Sequence, residues 1–317
     1  MAILEIKESR VNKHDFTHIK PLARGQFGNV TIVQSKINNQ IYAMKTLDKQ
    51  NLLRQRDQSF FMEERDVLVQ ATGSDWFPSL HAAFQDESNL YLVMEYASGG
   101  DLFSVLDRSQ NAVLAEETAK FYIAEIVLAI AELHKLGYVH RDIKPQNILI
   151  DAKGHIKLAD FGSCIRLNAK GLVTSKVPVG TCDYISPEVL RAREGNSGYS
   201  HTCDWWSLGI VIYEMLQGDP PFYSESVPET YAKIMTHQIS LEFDEDDVKI
   251  SPEAKSLIRG LLCDPAQRLG RNGLEEILQH PFFEGIDWKG IRQISPPFLP
   301  DIKTPDDTSY FSPNDED

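Results

Sequence analysis

The sequence is poor in cysteine, in positive charge and in long apolar runs. Its four cysteines, Cys164, Cys182, Cys203 and Cys263, fall at no spacing that pairs metal ligands and are few for a disulfide scaffold. Free thiols in a reducing compartment are expected. Lysine and arginine number 32 against 46 aspartates and glutamates, a formal charge of −14. Such a surface repels nucleic acid and anionic membranes and attracts basic polypeptides. The most apolar run, 205–216, is too short to span a bilayer and contains Glu214. The opening MAILEIKESR lacks the apolar core of a secretion signal. A soluble intracellular protein is expected, with no transmembrane segment and no nucleic-acid partner. At 317 residues and 42% apolar content the chain is long enough for two lobes with separate cores.

What is present is concentrated in 138–150, YVHRDIKPQNILI, followed by Asp160-Phe161-Gly162. An Asp and an Asn on a polar turn between apolar runs, with a second Asp after a short strand, suit phosphoryl transfer. Asp142 can accept a proton from a hydroxyl nucleophile, while Asn147 and Asp160 offer the hard oxygen ligands that Mg²⁺ requires.

The preceding chain reads as a frame for this turn. Residues 1–15 are a polar lead with a small apolar face at Ile3 and Ile6, read as a docking segment or a dimer arm. Alternation at Val30 and Ile32, then Ile41-Tyr42-Ala43-Met44-Lys45, predicts paired strands around a turn at Asn38-Asn39. Before them, Gly25 and Gly28 form a hairpin whose bare backbone can approach a triphosphate or simply make a tight turn. Lys45 ends an apolar strand, where a lone ammonium is costly to bury. Helical spacing of Phe60, Phe61, Glu64, Val67 and Leu68 within 59–70 turns Glu64, rather than Glu63, toward it. Strands at 80–85 and 90–96 complete a small antiparallel sheet and end the first lobe. Residues 97–100 form a hinge. Adenine would sit there against backbone groups near Glu95 and Ala97, with Leu22, Val30, Ala43 and Leu149 as apolar walls; the last four serve equally well as core residues. A long core helix is predicted over 114–136, stopped by Gly137.

Together the glycine loop, YAMK, the helix glutamate, HRDIKPQN, DFG, Ser186-Pro187-Glu188 and DWWSLG resemble a eukaryotic protein kinase over 16–283. The resemblance implies a bilobal α+β fold with a small β-rich N-lobe (16–96) and a mostly helical C-lobe (97–283). Residues 284–317, containing SPPFLPDIKTPDDTSYF, resemble the C-terminal tail of AGC kinases. That tail is read as incomplete, without the hydrophobic motif, and a longer parent chain is expected to be more active. FFMEERDVL, FQDESNLYLVMEY and HIKLADFGSC are similar to the branch of myotonic dystrophy kinase, its Cdc42-binding relatives, Rho-kinase and citron kinase.

Position by position, the resemblance implies Asp142 as base, Lys144 on the γ-phosphate, Lys45 with Glu64 as phosphate anchor, and Asn147 and Asp160 as Mg²⁺ ligands. ATP would meet Leu22, Ala23, Gly25, Gly28, Val30, Ala43, Lys45, Met94, Glu95, Ala97 and Leu149. Leu68, Leu80, His140 and Phe161 match the spine joining the lobes, Glu188 and Arg268 a buried ion pair, and Asp204 the acid that holds the catalytic turn. The implied function is transfer of the ATP γ-phosphate to serine or threonine in proteins with upstream basic residues, in cytoskeletal or actomyosin regulation. Homodimerisation and control by a Rho-family GTPase through regions outside this chain belong to the same expectation. A pseudokinase scaffold would have lost Lys45, Asp142 or Asp160, and a small-molecule kinase would lack Ser186-Pro187-Glu188.

Four departures carry expectations. Ala23 replaces the usual first loop glycine and should be tolerated. Cys182 replaces a proline, and its thiol, exposed in a substrate loop, is expected to sense oxidants. Gln146 replaces an acid, leaving Asp101 and Glu214 as contacts for basic substrate residues. Val177 stands three before Gly180, where many AGC kinases carry a phosphothreonine that docks on Arg141, and Thr174 and Ser175 lie too early to replace it. A loop active without phosphorylation is expected, with Val177, Pro178 and Val179 packing it in place.

Overall fold

β-Branched and aromatic residues in alternation build the first layer. In the computed structural model, which describes residues 10–25, 28–54, 60–175, 177, 179–192, 198–244 and 249–311, five antiparallel strands form one sheet. They are β1 (Phe16–Arg24), β2 (Gly28–Ser35), β3 (Ile41–Asp48), β4 (Leu80–Gln85) and β5 (Asn89–Glu95), in the order β1-β2-β3-β5-β4. Ile3, Ile6, Ser59 and Pro178, on which expectations above rest, lie outside the described residues. The β2–β3 turn falls where expected, with Asn39 in the left-handed region at φ +57, a conformation asparagine tolerates. One face of the sheet holds a small core of Phe16, Val33, Tyr42, Met44, Tyr91 and Val93. The other faces α2 (Phe61–Gln70), which follows the short α1 (Lys49–Arg54). Glu64, Val67 and Leu68 are its buried side chains, as the 3.6-residue period requires.

A linker then leads to α3 (Leu102–Asp107), whose N-terminus is capped by Asp101 Oδ1 accepting from Ser104 N at 2.7 Å. Gly100 in this linker has φ +84, and a Cβ there would lie 2.3 Å from the Tyr310 carbonyl oxygen. Glycine is required by conformation and by the returning tail.

The remainder is mostly helical. The predicted long helix is α4 (Glu116–Lys135), starting two residues later than expected and ended by Gly137 at φ +84. The apolar run 205–216 lies within α6 (Thr202–Gln217), a nearly all-buried helix at the centre of the larger core. Around it pack α5 (Pro187–Arg191), α7 (Val227–Met235), α8 (His237–Ser240), α9 (Pro252–Leu261) and α10 (Glu275–Leu278). Gly209 lets α9 approach α6, since a Cβ there would meet Leu262 at 2.8 Å. Two short two-stranded sheets, β6 (Tyr138–Val139) with β9 (Ile165–Arg166) and β7 (Ile148–Ile150) with β8 (Ile156–Leu158), carry the polar turns into the gap between sheet and helices. The tail returns across the linker: Tyr96 stacks on Phe311, and Arg108 lies 5.0 Å over the Tyr310 ring. Among the described residues no helix is long and apolar enough to cross a membrane.

Candidate active site

Between the sheet and the helical part lies a cleft of about 550 Å³. Its roof is Leu22, Ala23, Gly25, Gly28, Val30 and Ala43, and its back is Met94, Glu95 and Ala97. Leu149 forms the floor, with Lys45, Glu64, Lys144, Asn147 and Asp160 at the deep end. Every residue expected to meet ATP therefore borders one cavity. Gly28 has a second reason to be glycine: a Cβ would lie 2.1 Å from the Thr46 carbonyl on β3. A larger hollow of about 930 Å³ on the other side of the linker, lined by Tyr42, His81 and Lys157, contains none of Asp142, Asn147 or Asp160.

Lys45 joins both lobes. Strand β3 delivers it inward opposite Leu92 of β5, and its Nζ donates to Glu64 Oε1 at 2.6 Å and to Asp160 Oδ1 at 2.8 Å. Burial opposes the ammonium, but Asp160 and Glu64 outweigh it and leave Lys45 protonated, its pKa above the ordinary lysine value. In turn the Lys45 charge holds the Asp160 carboxyl down at about 2. Glu64, not Glu63, is the partner, as the helical period requires.

The polar turn is pinned from below. Asp204, buried on α6, accepts from His134 Nε2 at 2.7 Å and from the backbone N–H groups of His140 and Arg141 at 2.9 and 2.8 Å. Burial alone would raise its pKa; those donors, with His140, bring it below the usual value. His140 is buried and held below the ordinary histidine range by desolvation. As a neutral ring it fits one tautomer, Nε2–H donating to Ala159 O at 3.1 Å and Nδ1 accepting from Asp142 N at 3.3 Å. Its ring lies 5.5 Å from that of Phe161, and Leu68, Leu80 and Phe161 share the larger core.

Asp142 is fixed on both oxygens. Oδ1 accepts from Thr181 N at 2.9 Å and Thr181 Oγ1 at 2.8 Å, and Oδ2 accepts from Asn147 Nδ2 at 3.1 Å. Lys144 Nζ donates to Thr181 Oγ1 at 2.7 Å and lies 3.2 Å from Asp142 Oδ2. Asn147 Nδ2 also donates to Asp142 O at 2.7 Å, so its amide hydrogens are engaged and its carbonyl oxygen is the free end. With one Asp160 oxygen bound to Lys45, the hard donors left are that carbonyl and the second Asp160 oxygen. Two protein oxygens suit Mg²⁺, which keeps waters and substrate phosphates as its other ligands. Among the described residues no group of three or more His, Cys, Asp or Glu side chains forms a self-sufficient metal site.

Of the residues expected to face a polypeptide substrate, Glu214 and Cys182 are withdrawn wholly or partly from solvent. Glu214 is 5% exposed and accepts from Tyr184 Oη at 2.6 Å, with burial raising its pKa to about 7. It is a buried carboxyl held by the Tyr184 phenol. Cys182 is half-buried, with its Sγ 3.3 Å from Asp183 Oδ2. Burial and that carboxylate push the thiol up to about 11, and the side chain is less exposed than expected. All four cysteines are free thiols. Glu188 and Arg268 form the expected buried pair, with Arg268 Nη2 3.1 Å from Glu188 Oε2. Asp101 caps α3 and also lines the cleft. Sequence reasoning missed Thr181 as a partner of Asp142 and Phe311 as a wall of the cleft; no local period marks either.

A family profile described as the protein kinase domain matches residues 16–283, and the chain belongs to that family, whose members use ATP and Mg²⁺. It is 51% identical over 315 residues to human serine/threonine-protein kinase MRCK gamma, covering 99% of this chain and 20% of that protein. It is 52% identical over 313 residues to serine/threonine-protein kinase mrck-1 of Caenorhabditis elegans, covering 98% and 20%, and 50% identical over 312 residues to human MRCK beta, covering 98% and 18%. The chain spans about a fifth of the length of these curated relatives.

Proposed function

We propose that this chain transfers the γ-phosphate of ATP to serine or threonine hydroxyls of proteins bearing basic residues near the phosphoacceptor. The observation that carries the reading is the clamping of Asp142 by Thr181 and Asn147 with Lys144 alongside. It leaves a carboxylate fixed beside the cleft, where an incoming hydroxyl needs a proton acceptor. In this reading Lys45, steadied by Glu64, holds the α- and β-phosphates and Lys144 meets the γ-phosphate. Asn147 and Asp160 would hold Mg²⁺, which when bound neutralises phosphate charge. The apolar walls would orient adenine against the backbone of Glu95 and Ala97, and the returning tail would narrow access for water. The same reading divides the chain into an N-terminal extension (1–15), an N-lobe (16–96), a C-lobe (97–283) and a tail (284–317).

The serine/threonine kinase names of the relatives support the acceptor class. The net charge of −14 supports basic protein substrates. Likeness to the myotonic dystrophy kinase and Rho-kinase branch supports a role among cytoskeletal regulators, with dimerisation and GTPase control placed in the same proposal. Incubating the chain with labelled Mg-ATP and an arrayed peptide library tests it. Label on Ser/Thr peptides with basic residues upstream, lost in Asp142→Asn by about 10²–10⁴-fold with nucleotide binding retained, is the expected result. ATP binding without transfer in the parent chain would establish a scaffold instead.

A further inference from the structure

Arg141 immediately precedes Asp142 and is itself held in the left-handed region, φ +69, a strained conformation that its surroundings must maintain. Its Nε donates to Ser163 O at 2.7 Å and its Nη1 to Tyr199 Oη at 3.2 Å. Its third nitrogen, Nη2, is buried and has no hydrogen-bond partner among the described residues. No carboxylate pairs with this guanidinium among the described residues. The ring of Phe60 does cover it, with the Arg141 Cζ 4.4 Å from the ring centroid. Phe60 is also the residue from which α2 starts: Glu64 N donates to Phe60 O at 2.9 Å, and Glu64 is the partner of Lys45.

We propose that Phe60 is a positioning residue whose ring face takes the place of an anion on Arg141, tying the start of α2 to the turn that carries Asp142. The argument rests on the kinase reading above. An aromatic face attracts a desolvated cation through its quadrupole, so the ring stabilises a buried guanidinium whose hydrogen bonds are incomplete. Because Val177 cannot carry a phosphate and is half-buried beside buried Val179, the segment offers no covalent anion at that position. Through Arg141 the ring connects the Ser163 turn, the helix of Glu64 and the turn that carries Asp142.

The test compares the unmodified chain, shown by mass spectrometry to carry no phosphate on 172–181, with Phe60→Leu, Phe60→Met and Phe60→Trp. Losing the ring face should lower kcat about tenfold in Leu and Met, while Trp keeps most of the activity. In an Arg141→Ala background, Phe60→Leu should change little further. Hydrogen exchange of the 163–173 amides should speed up in Leu and Met and stay slow in Trp. Equal behaviour of Leu, Met and Trp in rate and exchange would overturn the proposal. If the parent chain transfers no phosphate, the functional reading fails, and the exchange comparison still decides the role of Phe60.

Discussion

Thr181 lies 39 residues after Asp142, yet its hydroxyl donates to Asp142 Oδ1 at 2.8 Å while accepting from Lys144. Gly180, at φ +121, permits this approach, since a Cβ there would lie 2.5 Å from the Arg141 carbonyl. The segment ending at Thr181 thus closes on Asp142 through one hydroxyl. Thr181→Val keeps the shape and removes two charge-assisted contacts. It should lower kcat about tenfold or more with a smaller change in KM for ATP. Thr181→Ser should retain most activity, and steady-state kinetics of the two variants check this.

Glu214 sets a pH dependence. With its pKa raised to about 7 by burial, the carboxyl is largely neutral below that pH and charged above it. Attraction to a basic substrate side chain should therefore strengthen between about pH 6 and about pH 8. The preference of a peptide array for upstream Arg or Lys, measured across this range, should rise with pH, and Glu214→Gln should flatten it. Replacing both Asp101 and Glu214 by Ala should weaken the preference throughout. Fold stability runs the other way. The folded state holds this proton more tightly than the unfolded chain, so the stabilising contribution is lost as pH rises from 4.5 toward about 7. Thermal melts of wild type and Glu214→Gln should converge at acidic pH.

Phe311 borders the cleft and stacks on Tyr96, ring centroids 5.9 Å apart. Phe311→Ala should open that wall and raise KM for ATP by about threefold to tenfold, with kcat changed less, because the lost contact acts on ground state and transition state alike. Titration with a fluorescent nucleotide provides the direct measurement.

Cys182 should be inert. A thiol raised to about 11 has little thiolate at neutral pH, so brief peroxide treatment should leave the activities of wild type and Cys182→Pro equally intact. Selective protection by the proline would contradict this.

Residues acting over short spans were legible in the sequence. The five-residue step from Asp142 to Asn147, the strand period ending in Lys45 and the helical period selecting Glu64 over Glu63 are local regularities, and backbone geometry alone converts them into shared faces. Apolar blocks likewise outlined the sheet, the linker and the long α4 helix. Contacts made by irregular segments folding back on the site were not legible. Thr181 reaches Asp142, Phe311 reaches the cleft wall, and Phe60 covers Arg141 across turns that carry no period. Glu214 shows the division within a single side chain. The sequence offered it as an acid for basic substrate residues, and the packing of Tyr184 and the surrounding helices removed its water and raised its pKa. Solvent exclusion is a property of the assembled core, which no stretch of sequence possesses alone.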